Sequence, residues 1–524
     1  MNRRLLCLLL LALPVSADWK LVHDQFRKEY KAAKRSEQRA MALSELARSE
    51  MPEAAKFLME FWSRLEAGAL KNRTRRWSLR NEAEELDAKI QRIRETSPRN
   101  KGLPGMQAQL RKLRAEEERY AAKSEASEAD QGAILDALRT MKSPEVIEYL
   151  ADVGLKKAKS PLLLQATAVQ VANHAGTKAL LKALSRTKKP AQTVPLLQGI
   201  GRRGTEAPDE ALGAIIDYLT DRDDAVRVAA AQALARFAHP KGVEPLIRAL
   251  SGEQEGGRVF RMFVRQLQIL TGQKIGPYPE PWQRWWRENK ETVLAGELTL
   301  GAGKPISGAS GKGGRFYGIP QRELRIIYVL DISGSMDVDM FNPKWVKGRS
   351  VPADFREESR LGHAIRELLR AVKKLRKGTT YTVVFYADHA SALWNELRPA
   401  NDKNYGELKR ELDVLESAGS TNTYESIDLA LRIAGVHPDQ PRVSQKADAI
   451  YLVSDGAPTN ASGKPEKEGE RTLEAVKQWN ALRRVVIHTI GIGREHSAGF
   501  MESLATQNDG DYYAVKPKRR RKSD

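Results

Sequence analysis

The sequence predicts two architectures in succession: an all-α region of stacked helical hairpins carrying a coiled-coil arm, then an α/β domain. Three observations predict this. Four segments repeat one pattern, a small-apolar helix end, a short break and a second helix closing on a leucine; the closing residues Leu150, Leu184, Leu219 and Leu250 stand 34, 35 and 31 residues apart. From Arg325 onward, apolar runs of strand length alternate with amphipathic helical stretches, the grammar of a mostly parallel, doubly wound sheet covered on both faces. Between the two lies GAGKPISGASGKGGRFYG, whose Gly/Ser content marks an interdomain linker. At 524 residues the chain also exceeds what one core normally supports.

Residues 1–17 read as an export signal: Arg3 and Arg4 precede an apolar run from Leu5 to Leu13, and Val15-Ser16-Ala17 places small residues where a signal peptidase cuts, after Ala17. The run is too short for a transmembrane segment, and no later stretch reaches roughly 20 apolar residues. The expected location is secreted, periplasmic or in the cell envelope. The single cysteine, Cys7, lies within this signal, so the mature chain has no thiol for disulfides, thiolate metal sites or nucleophilic catalysis. The net charge is +20, and it favours anionic partners. For an exported chain these are an acidic protein, an anionic envelope polymer or anionic lipids, with no specific nucleic acid. The last nine residues (516–524), KPKRRRKSD, carry six cations and read as a disordered tail or an electrostatic tether.

Residues 18–130 are expected to be α-helical. MALSELARSEMPEAAKFLMEFW (41–62) has the shape of the repeat unit but lies far upstream of the others. Leu86, Ile90 and Ile93 keep helical spacing up to the break SPRNKGLPG, and Met106, Leu110, Leu113 and Tyr120 resume it. This pattern predicts an antiparallel helical hairpin of coiled-coil character, either a contact surface or a solvated spacer. Residues 131–293 form the repeat array, since each helical hairpin must stack on neighbours to bury its apolar face. Within it, DDAVRVAAAQALARFAHPKGVEPLIRAL (Asp223 to Leu250) resembles a HEAT repeat, and the three preceding segments resemble looser members. The array ends at EPWQRWWRENKETV, where Trp282, Trp285 and Trp286 share one helix face, a core or capping face or else a carbohydrate-stacking platform. In the linker, 294–320, neither Gly-Lys pair has a glycine five residues earlier, which rules out a phosphate loop.

Residues 321–515 form the α/β domain. Strands are expected at Ile326–Leu330, YTVVFY, AIYLVS, VVIHTIGIG and DYYAV, with helices at Leu361–Leu375, TYESIDLALRIAG and RTLEAVKQWNALRR. In a doubly wound sheet, ligands sit beyond the carboxyl ends of the strands where strand order reverses. Asp331 ends the first strand, and Asp455 ends AIYLVSD. A turn bearing Asp331, Ser333 and Ser335 at alternate positions can aim three side chains at one point; Thr421, just before a helix, adds a hydroxyl and Asp455 a carboxylate. Oxygen-only donors suit a hard cation such as Mg²⁺, and two carboxylates with three hydroxyls leave a position open for a carboxylate from a partner.

D-I-S-G-S (Asp331 to Ser335), G-S-T (Gly419 to Thr421) and S-D-G (Ser454 to Gly456) resemble the three pieces of the metal-ion-dependent adhesion site (MIDAS) of von Willebrand factor type A (VWA) domains. The resemblance implies a Rossmann-like fold that binds Mg²⁺ (or Mn²⁺ or Ca²⁺) through Asp331, Ser333, Ser335, Thr421 and Asp455. Asp337 and Asp339 stand as ligands of a second metal site or as loop acids, and the loop from Met340 to Glu358 is expected to overhang the metal. The functional expectation is a non-enzymatic binding or adhesion scaffold that captures an acidic group through a metal-bridged carboxylate. The alternative is an assembly factor whose helical repeats hold the partner while the metal only stabilises the fold. An enzyme is disfavoured: the eight histidines are scattered with no HExxH pattern, and the acids and serines near Asp331 lack a partnering base.

Overall fold

In the computed structural model, the residues described are 18–97, 99–206, 209–253, 257–301, 303, 314–338, 340, 359–437, 445–459, 465–482, 484–493 and 496–515. The signal segment, the centre of the linker, the loop 341–358 and the basic tail lie outside them. Internal contacts divide the chain into two compact units, Met1–Arg203 and Gly204–Asp524.

The first unit is helical throughout: α1 (Trp19–Ala32), α2 (Ser36–Arg48), α3 (Pro52–Thr96), α4 (Leu103–Thr140), α5 (Pro144–Tyr149), α6 (Leu155–Lys157), α7 (Pro161–Ala175), α8 (Lys178–Leu184) and α9 (Pro190–Gly201). A π-helical turn, Leu150–Gly154, joins α5 to α6. Prolines open α3, α5, α7 and α9, because a first-turn residue has no intrahelical use for its N–H. The arm differs from its expected boundaries. Residue 130 falls inside α4, and the 45-residue α3 carries both the upstream repeat-like segment and Leu86–Ile93. Neither helix contains an interior proline; Gly68 in α3 and Gly132 in α4 each cost only about 1 kcal/mol relative to alanine. The hairpin is therefore continuous with the helices that carry the repeat-like segments rather than a separate element. Near its base, Arg73 pairs with Glu128 at 3.0 Å and Arg39 with Asp130 at 2.8 Å. Towards its tip, Ala83, Ile90, Leu103 and Leu110 form a small apolar core.

The second unit begins with α10 (Asp209–Asp217), α11 (Asp224–Phe237), α12 (Val243–Ser251), α13 (Arg258–Thr271) and α14 (Pro279–Leu294). Asp223 caps α11, accepting from the Ala225 N–H at 2.9 Å. Gly272, at φ 72°, ends α13. Trp282 and Trp286 are buried and Trp285 half-buried, so the tryptophan face of α14 packs inward; the Trp282 Nε1 donates to the Gly276 carbonyl at 2.9 Å.

The end of the expected linker is instead a hairpin, β1 (Arg315–Phe316) and β2 (Ile319–Pro320). Phe316, Tyr317 and Ile319 are buried in the α/β core, which ties these residues to the domain. The main sheet contains β3 (Arg325–Asp331), β4 (Thr380–Tyr386), β5 (Ala390–Ala392), β6 (Arg398–Pro399), β7 (Ala449–Ser454), β8 (Val486–Gly491) and β9 (Tyr512–Ala514), in the order β5-β4-β3-β7-β8-β9. Strands β3, β4, β7, β8 and β9 run parallel, while the short β5 and β6 run antiparallel against β4. Ile326, Tyr328 and Leu330 face a layer containing α15 (Arg360–Lys373) and α16 (Asp402–Asp413). Ile327 and Val329 face α17 (Thr423–Ile433), α18 (Pro465–Trp479) and α19 (Ala498–Gln507). Burial of β3 on both faces explains its unbroken apolar sequence.

Contacts between α10–α14 and the α/β domain lie at the amino ends of the parallel strands. Arg484, just before β8, pairs with Asp223 at 2.8 Å. Arg261 of α13 pairs with Glu323, just before β3, and the Tyr451 hydroxyl donates to the same carboxylate at 2.9 Å. Burial pushes the Glu323 carboxyl up, but Arg261 and His488 outweigh it and hold it well below the usual range. Arg261→Ala would leave a buried carboxylate without its cation, and should lower stability by about 3 kcal/mol in urea titrations. Adding Glu323→Gln should recover part of that loss; an unchanged midpoint for Arg261→Ala would show that the pair does not join these layers.

Candidate metal centre

The centre lies where the sheet reverses its winding. From β3 the chain crosses to β4 on one side, and from β7 it crosses to β8 on the other, while β3 and β7 are neighbours. Their carboxyl ends are thus uncovered by a common crossover. Asp331, at the end of β3, has no solvent exposure. Its Oδ1 accepts from the Ser333 N–H at 2.9 Å, and its Oδ2 accepts from the Ser454 hydroxyl at 2.7 Å and the Tyr386 hydroxyl at 3.3 Å. The chain then turns through a 3-10 segment, Gly334–Asp337. Ser333 Oγ and Ser335 Oγ lie 3.1 Å apart, and the Ser335 hydroxyl donates to Asp455 Oδ1 at 2.8 Å.

The second loop is joined to the first through the Gly334 N–H, which donates to the Gly419 carbonyl at 3.1 Å. Gly419 has φ 77°, and a Cβ there would stand 2.5 Å from Asp388 Oδ2; only glycine suits both demands. Thr421 is held by a reciprocal pair with Thr459: its N–H donates to Thr459 Oγ1 at 3.1 Å, and its carbonyl accepts from the Thr459 N–H at 3.0 Å. The Thr421 hydroxyl borders the turn after Asp455, where a Cβ on Gly456 would lie 3.4 Å away. The structure therefore brings Asp331, Ser333, Ser335, Thr421 and Asp455 to one place.

Three residues that the sequence reading did not single out complete the arrangement. Ser454 and Tyr386 hold Asp331. Arg360, at the start of α15, places Nη1 2.7 Å from Asp455 Oδ2, with both side chains buried. Gly493, at φ 77°, makes room for it: a Cβ there would lie 2.8 Å from the Arg360 Cζ. Ser454 was visible in S-D-G, and Tyr386 as the last residue of its strand; nothing in the local sequence marks Arg360. Asp337 is exposed, and Asp339 lies outside the described residues. Among the described residues there is no cluster of three or more His, Cys, Asp or Glu side chains suited to a metal. His488 lies in the core, stacked on Tyr451 at 4.6 Å.

Burial, and then the proximity of Asp455, push the Asp331 carboxyl up to about 6. Burial also raises Asp455, against the opposing pull of Arg360. Among the described residues one arginine thus accompanies two buried carboxylates, an arrangement short of positive charge.

With this geometry the domain class is defined. Residues 353–514 match the von Willebrand factor type A domain family and residues 177–262 match HEAT repeats. The C-terminal region is a VWA domain with HEAT repeats N-terminal to it. Thr421 and Asp455 fall within the matched span; Asp331, Ser333 and Ser335 precede it, at the end of the strand that pairs with both β4 and β7 and in the turn that follows. The inter-alpha-trypsin inhibitor heavy chain H2 of Mus musculus is 23% identical over 190 residues, covering 35% of this chain and only 17% of that relative. Among solved structures, a von Willebrand factor type A protein from Catenulispora acidiphila is similar at 18% identity and TM-score 0.28, covering 38% of this chain and 40% of its own. Proximal thread matrix protein 1 from the mussel byssus, with a zinc-occupied MIDAS motif, is similar at 20% identity and TM-score 0.24, covering 36% and 41%.

The raised Asp331 value has a consequence for stability. The folded chain holds this proton more tightly than the unfolded chain, whose carboxyl titrates near 3.8. In EDTA, this carboxyl's contribution to stability should therefore decline as pH rises from about 4.5 to about 7, by on the order of 2 kcal/mol; below about pH 4.5 the depressed Glu323 carboxyl acts in the opposite direction. Urea titrations between these pH values test this, and Asp331→Asn should flatten the decline; a wild-type profile that is already flat would contradict it.

Proposed function

We propose that the chain is an exported, non-enzymatic binding scaffold whose VWA domain holds a divalent cation and through it captures an acidic group on a protein or envelope partner. The observation that carries this reading is the pair of buried carboxylates, Asp331 and Asp455, facing three hydroxyls with, among the described residues, a single arginine as counter-charge. The donor set fits a hard cation. It offers only oxygen, it is anionic overall, and its two carboxylates are already oriented by Ser454, Tyr386 and Arg360. Asp331, Ser333, Ser335, Thr421 and Asp455 would hold Mg²⁺ (or Mn²⁺ or Ca²⁺), which supplies Lewis acidity towards an incoming carboxylate. The chain's own part is to keep these oxygens converged and shielded from water.

Partner retention by the tagged chain should be lost in EDTA and in Asp331→Ala, with Mg²⁺ affinity falling at least 100-fold by calorimetry. Capture that survives both treatments would move the partner to the helical region and leave the cation, at most, a stabilising role.

Arg360 sets the charge balance. With it, the two carboxylates and a divalent cation sum to a net +1, an arrangement that calls for an anionic ligand; without it they are neutral. Arg360→Met should therefore tighten Mn²⁺ binding at least tenfold while weakening capture of a carboxylate probe such as acetate. Parallel losses of both affinities would show instead that Arg360 only supports Asp455 mechanically.

A further inference from the structure

The arm of the first unit segregates charge along its axis. Residues 89–114, which span its tip, contain eight Lys or Arg and one acid, Glu95, a net +7 within a chain of net +20. All eight cations are exposed, and among the described residues only Arg114 has an ion pair, to Asp87 at 2.7 Å. Immediately behind the tip the sign reverses. Residues 82–88 hold four acids and residues 115–118 three, with no cation in either run. The Arg114–Asp87 pair and the Arg76–Glu117 pair at 3.6 Å place these runs at about one level of the hairpin. A merely solvated helical face intersperses opposite charges three and four residues apart. This arm instead has a positive cap followed by a negative collar.

We propose that the arm docks end-on, tip first, to an anionic lipid bilayer surface. The collar favours this occupant over an extended anionic polymer, because a polymer lying along the arm would run from the cap into seven acids, which Arg75, Arg76 and Arg114 offset only in part. The cap also has no aromatic residue between 89 and 114 on which a base or sugar could stack. Its apolar residues Ile90, Leu103 and Leu110 are buried in the hairpin's own core, and no large hydrophobic of the tip is exposed. Attachment is thus electrostatic, without insertion, and reversible by salt. A flat surface meets the whole cap at once while the collar stands off it, which holds the arm upright.

The test is sedimentation of the chain, ending at Val515 to remove the basic tail, with phosphatidylcholine vesicles containing or lacking phosphatidylglycerol. EDTA is present throughout, so the result is independent of the proposed cation site. Binding should require phosphatidylglycerol and be lost between about 0.1 M and about 0.5 M salt. Replacing Arg92, Arg94, Arg99 and Lys101 together by serine should weaken it more than 100-fold, at about fivefold per cation. Replacing the equally exposed Lys182, Arg186, Lys188 and Lys189 should change it much less. Equal losses in the two variants would reduce the effect to net charge and overturn the proposal. So would tip-dependent binding to soluble polyphosphate with none to the vesicles, which would assign the cap to a polymer.

Discussion

Two like charges buried side by side are the constraint around which the VWA domain is arranged. Asp331 and Asp455 lie at the ends of adjacent parallel strands, where desolvation and mutual repulsion both oppose ionisation. The sheet can place them there only because the winding reverses between β3 and β7. Every surrounding donor then reads as compensation: Ser454 and Tyr386 on Asp331, Ser335 and Arg360 on Asp455. Even the glycines follow from it. Gly419 lets the second loop approach the first, and Gly493 leaves space for the arginine.

The opposite edge of the sheet obeys different physics. There Glu323 is buried with its cation already supplied by Arg261, and its carboxyl is held ionised rather than pushed towards the neutral form. That pair is complete within the chain, whereas the pair at the carboxyl edge is not. One end of the sheet is thereby fastened to α11 and α13, and the other keeps two buried carboxylates at the switch point. The division follows from strand direction. Parallel strands send their crossovers to one edge and leave chain entries at the other, so fastening and binding need not compete for the same loops.

Legibility in the sequence followed the range over which each feature is encoded. Asp331, Ser333 and Ser335 are spaced by one local turn, and β3 by its own apolar run, so both could be read directly. Thr421 and Asp455 were legible because each sits at a recognisable element end. Arg360 was not, since it meets Asp455 across 95 residues and only the fold brings them together. The residues around Phe316 read as linker because glycines surround them, yet three buried side chains outweigh that local composition. The strands β5 and β6, of three and two residues, are too short to show any period. The helical hairpin is legible from its apolar spacing, but the boundary at residue 130 is not, because α4 runs through it without a break.

The chain's charge therefore has to be read by location rather than by total. A net +20 suggests a uniformly basic surface with indiscriminate affinity for anions, but the arm tip and the metal centre handle charge in opposite ways. At the tip the cations are solvated, so their attraction is long-ranged, weak per residue and screened by salt. At the centre the charges are few but dry, so each is worth far more and depends on geometry rather than on ionic strength. The first arrangement suits the proposed surface attachment, the second the proposed capture of one acidic group. A single chain can use both only if the strong site is kept from being satisfied by its own basic residues. Burial does this for Asp331 and Asp455, admitting Arg360 alone among the described residues.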